Sequence, residues 1–175
     1  MQTDILAGRS AIGPALWRNR LLIGLVALKT GRPAALAYTR AESMMSTTKR
    51  HPADMRATIG ADAEGRVTGM VFEGDFNTGA YASWGPTVAN RVPIHASGPY
   101  LTPNYEANSA GIHTNTAPAG AFRGFGVPQS AVAQEQLYDL LAEKLNMDPL
   151  EFRKANYTER DQSMDLPFSS IHLME

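Results

Sequence analysis

Gly120-Ala121-Phe122-Arg123-Gly124-Phe125-Gly126-Val127-Pro128-Gln129 joins a predicted strand to the most clearly patterned helix in the chain. Three glycines in seven positions let a ligand approach the backbone closely, and the start of the helix beyond offers free N–H groups. Arg123 adds a fixed charge and Phe125 a flat apolar face. These residues suit a loop that meets a polyanionic cofactor or a planar substrate. They equally suit a glycine-rich turn with a solvated arginine. The glycine spacing matches neither the dinucleotide fingerprint nor the Walker loop. A single Arg-Gly-Phe-Gly is also too little for an RNA-binding tract.

Downstream, Pro128–Leu145 reads as an amphipathic helix. Ala131, Val132, Leu137, Leu140, Leu141 and Leu145 form its apolar stripe, with Glu135, Asp139, Glu143 and Lys144 largely elsewhere. A short helix follows over Pro149–Asn156. Asp148 is its expected N-cap, Pro149 its first residue and Glu151 the reciprocal capping partner. Upstream, Tyr105–Thr116 reads as a strand. Met55–Gly60 and Arg66–Gly74 read as a hairpin whose turn carries Gly65 in the left-handed region. Between Gly60 and Gly126 lie 11 of the 15 glycines, and Pro86, Pro93, Pro99 and Pro103 interrupt the same stretch. That spacing predicts long structured loops rather than helices. Ala34–Arg40 reads as a short buried strand, and Pro14–Lys29 as a helix apolar on most faces and therefore buried. Gly31 stands at its C-terminal cap and Pro33 beyond it. The expected fold class is α+β: antiparallel strands and hairpins with two to three packed helices.

Composition bounds the function. The 175 residues are 43% hydrophobic and 19% charged, as in a folded domain. Lys plus Arg number 16 and Asp plus Glu 17, so a net charge of -1 makes no case for nucleic acid or an anionic membrane as partner. The absence of cysteine excludes disulfides, thiolate metal sites and a cysteine nucleophile within these residues. Leu21–Leu28 is too short to span a bilayer, which needs about twenty apolar residues. Arg18 and Arg20 precede it, yet Lys29-Thr30-Gly31-Arg32-Pro33 follows where a signal peptide would have a cleavage site, and a cytoplasmic location is expected. His51, His95, His113 and His172 lie far apart, without the spacing of a metal site.

Taken together, these segments resemble a known family. Thr114-Asn115-Thr116-Ala117-Pro118 with Gly120–Gln129 resembles the TN-x-x-P-x-x-AFRGFG-x-PQ segment of the molybdenum hydroxylases, the xanthine dehydrogenase and aldehyde oxidase family, in its large molybdopterin-binding subunit. Lys29–Pro33 is similar to the family's KTGRPV segment. Arg40–Met44 with Arg50-His51-Pro52 is similar to its R-x-E-x-M and GRHP stretch. Arg91–His95, Pro99-Tyr100, Pro103-Asn104 and Met147–Asn156 follow in the family's order. The resemblance covers about Ala27 to Asn156, as a partial molybdopterin-binding domain. Residues 1–26, with their helix, and the tail 157–175 depart from it.

The resemblance implies a role for each matching residue. Arg123, with Phe122 and Gly124, would lie against the molybdopterin cofactor, in its cytosine dinucleotide form. Phe125 would stack on an aromatic substrate, and Arg91 would hold that substrate by charge and hydrogen bonds. Glu42 would be structural, and no residue is assigned as catalytic or as a metal ligand. The implied reaction hydroxylates N-heteroaromatics or aldehydes with oxygen from water. The implied partners are an iron–sulfur subunit and an FAD subunit. A hydroxybenzoyl-CoA reductase-like subunit and a non-catalytic, partner-binding fragment are the alternatives. Arg9–Gly13 stands where the family has a GFGGKE loop, and the segment bearing the general-base glutamate has no match. The chain therefore reads as a central slice of a longer subunit, expected to be inactive in isolation.

Overall fold

A computed structural model describes residues 14–158. In chain order the elements are α1 (Pro14–Thr30), α2 (Arg40–Ser46), β1 (Ala53–Ala61), β2 (Val67–Gly79), α3 (Gly85–His95), β3 (Tyr105–His113), α4 (Val127–Lys144) and α5 (Pro149–Asn156). The strands form one sheet in the order β1-β2-β3, so the α+β class holds. The readings of Arg9–Gly13 and of the tail beyond Thr158 lie outside the described residues, as do the side chains of Leu16 and Trp17.

The hairpin forms as its sequence dictates. Asp62 N–H donates to the Arg66 carbonyl (2.9 Å), and Asp62 Oδ1 accepts from the Glu64 and Arg66 amides. Gly65 takes φ 81°, the left-handed conformation that a side chain disfavours. β2 alternates buried and exposed residues from Met70 onward, and Phe72 and Phe76 are fully buried. β3 adds a feature to the expected hairpins. The Met70 amide meets the Asn104 carbonyl near one end of β3, and the Thr114 amide meets the Gly79 carbonyl just past the other. β2 and β3 therefore run parallel, joined through α3, because a parallel pair needs such a crossover.

α3 corrects the expectation of loops between the prolines. Pro86 occupies the first turn, where its missing N–H is not needed, and Pro93 falls near the C-terminal end. Val88, Ala89, Val92 and Ala96 recur at helical spacing and are buried, and this apolar stripe outweighs the prolines. Ala34–Arg40 is also corrected, since it forms no strand and is mostly exposed. Tyr38 instead donates its hydroxyl to Asn19 Oδ1 (2.6 Å). Thr39 and Glu42 form a capping box that starts α2: the Glu42 amide donates to Thr39 Oγ1, and the Thr39 amide to the Glu42 carboxylate. That structural use of Glu42 also holds its carboxyl below the usual range, chiefly through the Thr39 amide.

α1 ends as expected, with the Gly31 amide donating to Ala27 (2.9 Å) at φ 64°. Its burial is corrected. Leu21 is 66% and Leu28 83% exposed, with Leu22, Leu25 and Val26 about half exposed. A helix apolar on most faces has more surface to cover than the residues around it supply.

The chain divides into two compact units. The first comprises the residues up to Ala53, Asp75–Asn90 and Ala110–Gly126. The second comprises Asp54–Gly74, Arg91–Ser109 and the residues from Val127 onward. In the second, Val67, Tyr100, Tyr138, Ala142 and Phe152 form a core against which Ile59, Leu141 and Leu145 pack. Tyr138 stacks on Tyr100 (4.3 Å between ring centroids) and meets Phe152 edge-on (5.2 Å). The buried line of α4 therefore runs through Ser130, Gln134, Tyr138 and Ala142, whereas Val132 and Leu140 of the expected stripe are exposed. Tyr138 sets this register because its ring is the largest apolar surface on the helix. Arg153 donates to the carboxylates of Glu135 and Asp139 (2.7 and 2.8 Å). Asn156 Oδ1 accepts from the Val67 amide (2.7 Å), and its Nδ2 donates to the Gly65 and Phe152 carbonyls (both 2.8 Å). Asp148 caps α5 through the Leu150 and Glu151 amides. The reciprocal bond expected of Glu151 is replaced by an ion pair with Lys154 (2.8 Å).

Candidate functional site

The first unit carries the loop. Ala119 bridges to Lys49 in parallel register. The Lys49 amide donates to Pro118 (3.3 Å), the Gly120 amide to Lys49 (3.0 Å) and the Ala119 amide to Thr78 (3.0 Å). A second set of bonds latches the preceding segment to the end of β2. Asn77 Oδ1 accepts from the Gly79 amide (2.9 Å) and from Thr114 Oγ1 (2.7 Å), while the Ala80 amide donates to Thr116 (3.1 Å). Gly79 has φ 77°, and a Cβ there would stand 2.6 Å from the Ala117 carbonyl oxygen, so only glycine allows this approach.

Beyond Gly120 the chain turns sharply. The Phe125 amide donates to the Phe122 carbonyl (2.7 Å), closing a four-residue turn. Gly124, Phe125 and Gly126 then take φ 86°, 49° and 101° in succession. Phe125 in that region costs about 1–3 kcal/mol, a strain that persists only where surrounding contacts impose it. Here Trp84 meets the Phe125 ring edge-on, 6.1 Å between centroids, and follows Ser83, itself at φ 45°. Arg50 lays its guanidinium over the Phe122 ring (4.6 Å) and donates from Nη2 to the Arg123 carbonyl (2.6 Å). Partial burial lowers the pKa values of Lys49 and Arg50, and His51, buried beside them in sequence, is also pushed down by burial.

Phe122, Arg123, Gly124 and Phe125 thus share one turn, with the Arg123 and Gly124 residues exposed and both phenylalanines half-buried. Arg91 is exposed on α3, within the second unit. That unit also has an open depression of about 610 Å³ lined in part by Gly60, Met70, Asn104 and Tyr105, and it holds none of the residues expected at a site. Among the described residues no His, Asp and Glu gather as a metal site. None of their helices is long and apolar enough to cross a membrane. Reading the sequence overlooked Trp84, Asn77 and the use made of Arg50. Arg50-His51-Pro52 was the available signal, since a cation beside a proline-stiffened segment marks a fixed position. Asn77 and Trp84 carried none beyond residue type.

A molybdopterin group asks for polar backbone and donor side chains rather than protein metal ligands. This turn has that chemistry: the exposed residues Arg123 and Gly124 at its tip, with Arg50 and Arg123 as cations. Thr48 Oγ1 and Ser83 Oγ are buried with no hydrogen-bond partner among the described residues, and both residues lie close to Gly120. The residues fit such a group.

The profile of the molybdopterin cofactor-binding domain matches residues 15–157. The chain is 41% identical over 132 residues to the nicotinate dehydrogenase large molybdopterin subunit of Eubacterium barkeri, covering 75% of this chain and 31% of that one. Among solved structures it is similar to the aldehyde oxidoreductase of Desulfovibrio gigas, with a TM-score of 0.71 and 34% identity over 83% of this chain and 16% of that one. It is also similar to quinoline 2-oxidoreductase of Pseudomonas putida 86, with a TM-score of 0.70 and 27% identity over 87% of this chain and 19% of that one. The chain belongs to the molybdopterin cofactor-binding domain family. It spans about a third or less of the length of these relatives.

Proposed function

We propose that these residues form part of the molybdopterin-binding subunit of a molybdenum hydroxylase acting on N-heteroaromatics or aldehydes. The observation that carries this reading is the Phe122–Gly126 turn, with its run of left-handed residues, in a chain of the cofactor-binding family. Phe122, Arg123 and Gly124 hold the cofactor, in its cytosine dinucleotide form, mainly through the backbone. When bound, that group supplies the two-electron oxidation that places a water-derived oxygen on an electron-poor carbon. Phe125 stacks on the substrate ring and limits its tilt. Arg91 donates hydrogen bonds to a substrate carbonyl or ring nitrogen and offsets negative charge that develops there. None of these residues is assigned as the base. An iron–sulfur subunit and an FAD subunit would be the partners that take up the electrons. The names of the relatives support a heteroaromatic or aldehyde substrate.

The test is co-expression with the neighbouring reading frames in a host that makes molybdopterin. Molybdenum near one per chain and oxidation of nicotinate, purines or aldehydes are expected. Phe125→Ala should raise KM for ring substrates more than for small aldehydes. A folded, metal-free complex would overturn the reading. The exposed apolar surface of α1 and α2, with Leu28 at 83% and Met45 at 73%, favours a second reading, a chain whose task is to bind a partner protein. A stable complex lacking both metal and activity would select it.

A further inference from the structure

We propose that Arg50 is the positioning residue of the candidate loop, holding the Arg123 carbonyl and thereby aiming the Gly124 N–H. The argument begins with the peptide group. The Arg123–Gly124 peptide is planar and trans, so its carbonyl and its N–H point in opposite directions. Whatever fixes the oxygen fixes the hydrogen. This peptide is the middle one of the turn closed by the Phe125 amide on the Phe122 carbonyl. In a four-residue turn the middle peptide is the part that flips between types I and II, and a positive φ at the third residue marks type II. Gly124 at φ 86° is in that state.

Arg50 supplies the restraint. Its Nη2 lies 2.6 Å from the Arg123 oxygen, a short charge-assisted hydrogen bond. Its planar face covers the Phe122 ring at 4.6 Å, which limits rotation of the guanidinium. Lys49, the preceding residue, pairs through its backbone with Pro118 and Gly120. One dipeptide, Lys49-Arg50, therefore fastens both the base and the tip of the loop. A lysine at position 50 would keep the charge and a donor but not the flat face. The bearing of Gly124 on the cofactor rests on the function proposed above. The state of the turn does not.

The test is nuclear magnetic resonance of the isotopically labelled chain. A type II turn brings the Arg123 Hα close to the Gly124 amide proton, whereas type I brings the two amide protons together. The native chain should give a strong Arg123 Hα–Gly124 H–N Overhauser effect and a weak amide–amide one. Arg50→Ala should lose that contrast and shift the Gly124 and Phe125 amides, while the Val67 and Asn156 amides keep their positions. Arg50→Lys should fall between the two. An Arg50→Ala chain with the native contrast and the native Gly124 shift would overturn the proposal. If Arg50→Ala does not fold, Arg50→Lys decides: a reduced contrast supports it and an unchanged one overturns it. Metal content of the co-expressed complex separates the two ideas. A metal-free native complex rejects the cofactor reading and leaves the result on the turn standing.

Discussion

The two compact units hold themselves together by different means. The second relies on apolar burial: three aromatic rings from Tyr100, Tyr138 and Phe152 pack in sequence, and Asn156 satisfies three backbone groups at their edge. The first also buries apolar residues, Phe76, Val88, Ala89, Ala119 and Ala121, but adds to them a network of hydrogen bonds around Asn77, Lys49 and Gly120, and it leaves α1 largely exposed. Burial tolerates small shifts because it has no preferred direction. A hydrogen-bonded loop with three left-handed residues has little such tolerance, and it presents its peptide groups in fixed directions. The contrast is between a unit centred on packed rings and one in which directed hydrogen bonds also fix the shape of a loop.

The largest effect expected is that of Phe152→Ala. It removes the fully buried ring that meets Tyr138 edge-on and should cost about 3–5 kcal/mol in denaturant unfolding. Amide hydrogen exchange should quicken at Val67 and Tyr138. Equal quickening at Lys49 and Gly120 would break the contrast, since the units would then unfold as one. Gly79→Ala probes the other unit. A Cβ at φ 77°, facing the Ala117 carbonyl at 2.6 Å, should cost about 2–4 kcal/mol, with exchange quickening first at Ala119 and Gly120.

Titration should separate the units with opposite signs. Burial, and then the Glu135 carboxylate, push the Tyr100 hydroxyl up from 10.0 to about 12. Burial alone does the same to Tyr105, again to about 12. Unfolded tyrosines ionise first, so the second unit should keep its stability below pH 10 and lose it as pH rises through 12. Tyr100→Phe should reduce that loss. His51 behaves in reverse, because burial holds its pKa below the ordinary 6.5. The unfolded chain binds that proton first, so the first unit should weaken as pH falls below 6.5. His51→Gln should flatten the acid limb alone. Exchange at Gly120 and at Tyr138, followed across pH, checks both. Smallest of all, Lys154→Ala removes an exposed pair with Glu151 and should change the unfolding midpoint by no more than about 0.5 kcal/mol in free-energy terms.

Much of this was legible in the chain itself. Asp148-Pro149 start α5, Gly31 stops α1 and Gly65 turns the hairpin, because caps and left-handed turns depend on single residues and their neighbours. The prolines of α3 mask it in the sequence, where the spacing of Val88, Ala89, Val92 and Ala96 is the only helical signal. α2 is hidden by the apolar content of Ala34–Arg40, although Thr39-Arg40-Ala41-Glu42 carries its capping box. The loop was legible as a place but not as a shape.

Local chemistry along the chain determined where helices, turns and the glycine-rich loop fall, and it pointed to the family through Gly120–Gln129. Only the tertiary structure decided which face of α4 is buried, that α1 stays exposed, and that Arg50 meets Arg123 across 73 positions of sequence. Burial and long-range hydrogen bonds depend on which segments meet in space, and no single stretch of sequence encodes that alone.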